Sequence, residues 1–338
     1  MKKLLNTLYI TRQESYLKKD RNTIVIKQGN EKLGQFPALS LGGILCFGRV
    51  SVSPFLMGYC AENGIGIAFY TEYGRFLARV QGRQTGNVLL RRTQYRWADD
   101  KERTAEIARL IVAAKIANSR SVLLRELRNH GENASLKSAE VKLSSSMRRV
   151  RVAESIDEIR GVEGDAASSY FAVFDELIRS SGFAFGSRVR RPPTDPVNAL
   201  LSFVYSLVTQ ECVSALYGVG LDPYVGFLHR DRPGRASLAL DLLEEFRASW
   251  ADRFVLTLVN RRQVKTRDFV TEASGAVRLK DDARKKILTS YQERKQVEVT
   301  HPYLQEQIPI GLLPHSQALL LARHLRGDTD YYTPYVVK

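Results

Sequence analysis

The sequence predicts an α+β multidomain fold, in which a small N-terminal β-rich domain is followed by a larger all-α C-terminal domain. Up to about residue 75, β-branched and aromatic runs alternate with breaks that contain Gly or Asn, a pattern typical of short strands. From about residue 88 onwards, apolar residues recur at helical spacing over long stretches. We therefore predict a β-rich domain over residues 1–75, a linker over 76–87 and an α-helical domain over 88–338.

The β-rich domain is predicted to contain a series of strands and one short helix. The segment VSVSPFLMGYCAENG supplies the helix, because Ser53 can cap its start, Pro54 suits its first position and Gly64 follows its end. The predicted strands are the runs LYI, YLKK, TIVIKQ, LGQFPALSLGGILCFG and GIGIAFYTEYGRFLARV.

The helical domain is predicted from apolar periodicity and from helix-capping residues. The stretch DDKERTAEIARLIVAAKIANSRSVLLRELRNHG predicts a helix that ends at Gly131, and SIDEIRGVEGDAASSYF predicts one with a Ser155–Glu158 capping box. Residues 132–150 are polar and Ser-rich, and we expect a loop with a short helix there. NALLSFVYSLVTQECVSALYGVG is apolar all round, as a central core helix should be. Further helices are expected at about 236–260, 281–297 and 314–325.

The chain is strongly basic, with 51 Lys and Arg residues against 36 Asp and Glu, a net charge of +15 and a pI near 9.8. This balance favours a polyanionic partner, with nucleic acid as the first candidate and an anionic membrane surface as the second. Arginine presents a planar fork of donors that matches phosphate oxygens, although each Arg cluster could instead be a solvated helix face or loop. The candidate DNA-binding residues are Arg188, Arg190, Arg191, Arg230, Arg232, Arg235, Arg261 and Arg262.

Three cysteines, Cys46, Cys60 and Cys212, form no CxxC pair, which favours reduced thiols in a cytoplasmic protein. The apolar N-terminal stretch is broken by Asn6 and Thr7 and lacks the cleavage site of a signal peptide. The sequence contains no run of about 18 uncharged apolar residues. We expect a soluble cytoplasmic protein without a membrane partner.

The stretch HRDRPGRASLALDLLEEF, residues 229–246, combines a histidine with acidic residues at helical spacing. Asp241 and Glu244 share one helix face at the border of the core, where their repulsion must be relieved by a cation or a shared proton. With His229 they form a ligand set suited to Mn²⁺ or Mg²⁺ and not to structural zinc. In the alternative interpretation, His229 is a structural histidine and Glu244 or Glu245 forms a salt bridge with Arg247.

A third carboxylate could come from Glu163, which lies between Gly161 and Gly164 in an apparent helix. Each glycine inside a helix costs about 1 kcal/mol relative to Ala, so their presence suggests close approach of a ligand or another backbone. Alternatively, Glu163 is a first-turn carboxylate that the helix dipole favours.

Four segments occur in order along the chain: RGVEGDAASSYF, RRPPTDPVNALLSFVYSLVTQEC, GLDPYVGFLH and SLALDLLEEFR. Together they resemble the Cas1 family of CRISPR-associated endonucleases, the integrases that insert new spacers during adaptation in antiviral defence. The resemblance covers the whole chain and implies a catalytic helical domain. It also implies a metal-dependent enzyme that joins 3′-OH ends of spacer DNA to the CRISPR repeat by transesterification and can cleave DNA.

The resemblance implies that Glu163, His229 and Glu244 bind a divalent metal, Mg²⁺ or Mn²⁺. Asp241 matches a further acidic position that some members use, and is a possible additional ligand. The family commonly has Pro after EEFR, whereas here Ala248 follows, which puts the local turn in doubt. Of the Arg clusters, we expect Arg230, Arg232 and Arg235 to lie nearest the scissile phosphate.

The resemblance also implies a homodimer that assembles with a small ferredoxin-like CRISPR-associated partner protein on double-stranded DNA. The β-rich domain would supply dimer and partner contacts. Tyr170 and Tyr205 could stack on splayed bases or pack in the core. The alternative function is that of a non-catalytic, basic DNA-binding structural protein.

Overall fold

The structure is a computed structural model, which describes residues 6–72, 76–80 and 88–337. The chain divides into two compact units. The N-terminal unit comprises the described part of Met1–Thr85 with Leu279–Val297 and Pro309–Leu312; the C-terminal unit comprises the described parts of Gly86–Arg278, Glu298–Ile308 and Leu313–Lys338. The first unit is β-rich and the second is largely helical, which confirms the predicted fold class.

The secondary-structure elements are labelled in chain order. The strands are β1 (Asn6–Ile10), β2 (Ser15–Asp20), β3 (Thr23–Gln28), β4 (Glu31–Pro37), β5 (Leu41–Phe47), β6 (Val50–Val52), β7 (Gly66–Tyr70), β8 (Phe76–Val80), β9 (Phe269–Thr271), β10 (Val277–Leu279), β11 (Glu298–Thr300) and β12 (Gln307–Pro309). The helices are α1 (Pro54–Glu62), α2 (Val88–Asp99), α3 (Lys101–His130), α4 (Ala134–Val152), α5 (Ile156–Phe171), α6 (Pro196–Val219), α7 (Ser237–Phe246), α8 (Arg253–Asn260), α9 (Asp281–Gln296) and α10 (Leu313–Leu325).

The N-terminal unit contains two four-stranded sheets, ordered β1-β5-β7-β8 and β4-β3-β2-β6. In the first sheet β1, β5 and β7 run parallel and β8 is antiparallel to β7; in the second, β2, β3 and β4 form antiparallel pairs. The predicted helix is confirmed as α1, with Pro54 in its first turn and the Ser53 hydroxyl accepting from Leu56 N–H at 3.3 Å. Apolar residues of both sheets and α1 form one core.

Two of the predicted domain boundaries differ from the structure. Strand β8 occupies the start of the predicted linker 76–87, and residues 81–87 of that linker lie outside the described residues. Helix α9 belongs to the N-terminal unit although it falls inside the predicted range 88–338. The reason is packing, because α9 contacts β1 and buries Ile287, Leu288 and Tyr291, a long-range pairing that local periodicity does not reveal.

In the C-terminal unit, the predicted helices are observed as α3, α5, α6 and α10, and as a continuous run of α7, a π-helical segment Arg247–Asp252 and α8. The helix predicted at 281–297 is α9 of the N-terminal unit. The capping box of α5 and the end of α3 at Gly131 are confirmed. The expectation of a loop with a short helix over 132–150 is wrong. Helix α4 spans this stretch, because Asn133 caps its start and apolar side chains at helical spacing are buried against α3 and α5.

Helix α6 has the length and composition of a membrane span, but 67% of its most apolar 18-residue stretch is buried inside the protein. It packs against α7 and α10, as the predicted core helix should. Helix α3 packs against both α5 and α7, and these three helices carry Lys115, Glu163 and Glu244 of the candidate site. The loop between α6 and α7 contains His229.

Candidate metal centre

Helix α7 is buried on every side, and its three carboxylates are all inaccessible to solvent. Asp241, Glu244 and Glu245 are at most 2% exposed, although acidic residues seldom occur in a core without partners. Each carboxylate has a different set of partners, which determines what each one can do.

Asp241 holds the loop that precedes the helix and orients His229. Its Oδ2 accepts from Phe227 N–H at 2.6 Å and Leu228 N–H at 3.0 Å. Its Oδ1 accepts from His229 N–H at 3.0 Å and lies 2.6 Å from His229 Nδ1. Both oxygens therefore have two partners each. Because Nδ1 faces a carboxylate, Nε2 is the imidazole nitrogen that is left to bind a metal. The His229 side chain is 28% exposed, so it can be reached from solvent.

The His229 loop is packed tightly onto α7. A Cβ at Gly226 would lie 2.8 Å from both Asp241 Oδ2 and the Ser237 carbonyl carbon, so glycine is required for this close approach. On the other side, Arg160 of α5 donates from Nε and Nη2 to the Leu228 carbonyl at 2.8 and 2.6 Å. Arg160 lies one helical turn before Glu163, so α5 both carries a candidate ligand and fixes the loop of another.

Glu163 and Glu244 converge on a single cation, the ammonium group of Lys115 on α3. Lys115 Nζ contacts Glu163 Oε1 and lies 2.8 Å from Glu244 Oε2. On its other side, Glu244 Oε1 accepts from Arg247 Nη2 at 2.6 Å, so the alternative interpretation of a Glu244–Arg247 salt bridge is confirmed. Arg247 also lies over the Tyr205 ring, 4.7 Å from its centroid. The site is thus a buried chain of alternating charges.

These charges keep Glu244 ionised in a buried position. Burial by itself raises the pKa of the Glu244 carboxyl, but Arg247, Lys115 and then His229 lower it, and the pKa falls from 4.5 to about 2. Glu244 is therefore available as a carboxylate ligand at any physiological pH.

A divalent metal needs several hard oxygen or imidazole ligands around one point. Among the described residues, no three His, Cys, Asp or Glu side chains are grouped closely enough to hold one metal ion. The Lys115 ammonium lies between Glu163 and Glu244, 2.8 Å from the buried Glu244 Oε2. The two carboxylates and the imidazole that Asp241 orients are nevertheless donors of the kind that Mg²⁺ and Mn²⁺ bind.

Glycines 161 and 164 flank Glu163 on an accessible surface of α5. A Cβ built at either position meets nothing within 4 Å among the described residues. The sequence suggested that either another backbone or a ligand lies close to these glycines. The prediction of a closely packed backbone is wrong, and the structure leaves space for a ligand.

The candidate DNA-binding arginines differ in accessibility. Arg230, with 69% of its side chain exposed, contacts Asp157 at 3.1 Å. Arg188 is directed inward, donating to Asn198 Oδ1 at 2.7 Å and Ser202 Oγ at 3.1 Å. The remaining candidates are exposed except for the half-buried Arg235: Arg190, Arg191, Arg232, Arg261 and Arg262.

Tyr170 and Tyr205 are buried, as the core interpretation of these residues predicts. Lys115 and Arg160 were missed by the sequence analysis. Lys115 had one available signal, since it is a lone charged residue within the apolar run LIVAAKIANS of a core helix. Arg160 had none beyond its spacing of one turn from Glu163.

Comparisons with known proteins were made by sequence and by structure. A sequence model of the family described as CRISPR associated protein Cas1 matches residues 8–293. The chain is 52% identical over 341 residues to CRISPR-associated endonuclease Cas1 1 of Chlorobaculum tepidum, covering 99% of each. It is 50% identical over 347 residues to CRISPR-associated endonuclease Cas1 2 of Rhodospirillum rubrum, covering 100% of each.

Two solved structures are similar over almost the whole chain. A Cas1 protein from Thermotoga maritima has a TM-score of 0.82 at 25% identity, over 98% of this chain and 99% of that one. A casposase bound to integration product has a TM-score of 0.84 at 24% identity, over 98% and 93%, and shows the fold alone. Fold and site define a protein with a β-rich unit and a helical unit that carries a carboxylate- and histidine-based centre. The chain belongs to the Cas1 family of CRISPR-associated proteins.

Proposed function

We propose that this protein is a metal-dependent DNA endonuclease and integrase of CRISPR adaptation. It would join the 3′-OH ends of short spacer DNA to the CRISPR repeat by transesterification, and cleave DNA when water is the nucleophile. The observation that carries the proposal is the convergence of Glu163 and Glu244 on one cation, beside a histidine that Asp241 orients. The endonuclease names of the curated relatives support it.

Glu163, Glu244 and His229 are the residues that would hold Mg²⁺ or Mn²⁺. When bound, the metal would lower the pKa of the attacking water or 3′-hydroxyl and stabilise charge on the phosphodiester. Asp241 would act as a positioning residue and not as a further ligand, because its oxygens already accept four bonds from the His229 loop. Arg247 would hold Glu244 in place through its 2.6 Å contact.

DNA binding is proposed for the exposed arginines on the His229 loop and elsewhere in the helical unit. Arg230 and Arg232, which are exposed, and the half-buried Arg235 lie within six residues after His229, so phosphates bound there would lie next to the centre. The net charge of +15 supports a polyanionic substrate. We further propose cytoplasmic localisation, a homodimer with contacts in the β-rich unit, and assembly with a small ferredoxin-like partner protein.

The proposal is tested by strand transfer of labelled spacer DNA into a repeat-containing plasmid, with the partner protein present. Wild type and His229→Ala are compared in Mn²⁺, in Mg²⁺ and in EDTA. We expect joining to require the metal and to be lost in the variant, while DNA binding persists because the arginines are unchanged. His130→Ala, at the exposed end of α3, is the matched control and should join DNA normally.

Two results would overturn the proposal. If His229→Ala joins DNA as well as wild type, His229 is a structural histidine and the ligand set is wrong. If wild type binds DNA but neither joins nor cuts it in any metal, the protein is a non-catalytic DNA-binding structural protein.

A further inference from the structure

Lys115 occupies the central position of the candidate centre. Its ammonium contacts Glu163 of α5 and Glu244 of α7, and the side chain is only 8% exposed. Two carboxylates brought together from different helices repel each other unless a cation lies between them. Lys115 is therefore the counter-ion of the same two groups that would bind the metal.

We propose that Lys115 is an internal counter-cation that competes with the divalent metal for Glu163 and Glu244, so that metal binding displaces its ammonium group. The inference rests on the proposed metal-dependent function. It adds a residue, Lys115, that controls the affinity of the centre for the metal. It predicts that the free protein keeps the two glutamates together without a metal.

The ammonium and the metal cannot share the space between the carboxylates. Lys115 Nζ lies 2.8 Å from Glu244 Oε2. Mg²⁺ binds carboxylate oxygens at about 2.1 Å, so a metal bound to this oxygen would occupy the space that the ammonium now fills. Two positive charges a few ångströms apart also repel each other strongly in a buried site. One cation must leave when the other binds.

The two cations around Glu244 differ in how easily they can move. Arg247 presents a planar fork, donates to Oε1 at 2.6 Å and lies against the Tyr205 ring, which holds it in one orientation. Lys115 has a flexible four-carbon stem and a strongly hydrated ammonium, which favours release to water or to a DNA phosphate. Lys115 is thus the exchangeable cation and Arg247 the fixed one.

The first test measures Mn²⁺ binding to the full chain without DNA, by electron paramagnetic resonance of free Mn²⁺. We expect Lys115→Met to bind Mn²⁺ at least about tenfold more tightly than wild type, because a competing charge has been removed. Arg120→Met is the matched control. Arg120 lies on the same helix and pairs with the buried Glu140 at 2.7 Å, but away from the centre, so the affinity should not change.

The second test uses the wild-type protein and does not depend on a variant that folds. Lys115 is acylated with an amine-reactive reagent with and without Mn²⁺, and its modification is read by peptide mass spectrometry. We expect protection without metal and a several-fold faster reaction with Mn²⁺ bound, because the displaced ammonium gains access to solvent. DNA joining is not needed for either readout.

The outcomes separate this inference from the proposed function. Tighter Mn²⁺ binding by Lys115→Met, or Mn²⁺-dependent acylation of wild-type Lys115, supports the inference. If wild type binds Mn²⁺ while its Lys115 stays protected and the variant has unchanged affinity, Lys115 is only structural and the inference is wrong. If wild type and variant both fail to bind Mn²⁺, the metal-dependent function itself is overturned.

Discussion

Glu244 and Glu245 are neighbours on α7 and are both buried, yet they lie in opposite electrostatic environments. Glu244 faces the cations Lys115 and Arg247, and its pKa is lowered from 4.5 to about 2. Burial raises the pKa of Glu245 from 4.5 to about 7, because no cation faces it and the hydrogen bonds from Tyr332, Tyr335 and Gln317 only partly offset the loss of hydration. One helix therefore carries a charged face and a neutral face.

The difference shows how a buried carboxylate can serve either a cation site or the fold. On the neutral face, Glu245 accepts from Tyr335 N–H at 2.7 Å and thereby holds the C-terminal segment. Asn118, one turn after Lys115 on α3, donates to Tyr335 O and accepts from Val337 N–H, each within 3.0 Å. Hydrogen bonds to Glu245 and Asn118 thus hold the C-terminal segment against α7 and α3, the helices that carry Glu244 and Lys115.

The largest expected effect comes from neutralising the charged face. Glu244→Gln leaves Lys115 and Arg247 without their shared carboxylate, and we expect a loss of about 3–5 kcal/mol in the free energy of unfolding, together with loss of DNA joining. Glu245→Gln is the matched control. Its amide oxygen can keep the bonds from Tyr335 N–H and Gln317, and its NH2 group can donate to the Tyr332 hydroxyl, so we expect a loss of only about 1 kcal/mol.

Urea unfolding followed by tryptophan fluorescence measures this difference, since Trp97 and Trp250 both lie in the C-terminal unit. Equal losses for the two variants would show that the charge pattern around α7 does not distinguish its faces.

The pH dependence of stability should have opposite signs for the two residues. The lowered pKa of Glu244 stabilises the folded state above about pH 4.5, and this contribution is lost as the pH falls towards 2. The raised pKa of Glu245 stabilises the folded state below pH 4.5, and this contribution is lost as the pH rises through about 7. Each contribution is on the order of 3 kcal/mol.

The measurement is the urea midpoint across this pH range for wild type, Glu244→Gln and Glu245→Gln. Glu245→Gln should remove the decline in stability between about pH 5 and 7, and Glu244→Gln should remove part of the acid-induced loss. A decline near neutral pH that is identical in wild type and Glu245→Gln would contradict the assignment.

A smaller effect is expected from removing one donor on the neutral face. Tyr332→Phe deletes the hydroxyl that donates to Glu245 and leaves a buried acceptor with one partner fewer, which costs about 1–3 kcal/mol. The neighbouring Tyr331 is 63% exposed, so Tyr331→Phe should leave the urea midpoint unchanged. If both variants behave alike, the C-terminal segment is not held by Glu245.

The smallest effect is expected on α5, beside Glu163. Gly164→Ala should stabilise α5 by up to about 1 kcal/mol, because the new methyl group meets nothing within 4 Å and alanine favours the helix. Gly226→Ala should have the opposite sign, because its methyl group would collide with Asp241. Thermal unfolding of the two variants measures both, and a destabilised Gly164→Ala would show that this surface is packed.

Local chemistry was sufficient to predict much of the fold. Ser53 and Pro54 at the start of α1, and the Ser155–Glu158 box of α5, act over one helical turn and are visible in the sequence. Local composition was misleading at 132–150, where serines suggested a loop. Tertiary burial of the apolar positions of α4 outweighed the weaker helix preference of its serines.

The sequence by itself determined the candidate ligands Glu163, His229 and Glu244, because their motifs stand in a recognisable order along the chain. Only the tertiary structure decided that Lys115 lies between two of them and that Asp241 holds the histidine loop. The reason is physical: these contacts join α3, α5 and α7 across long stretches of chain. Ion pairs of this kind form only when helix packing brings the partners together and removes water from between them.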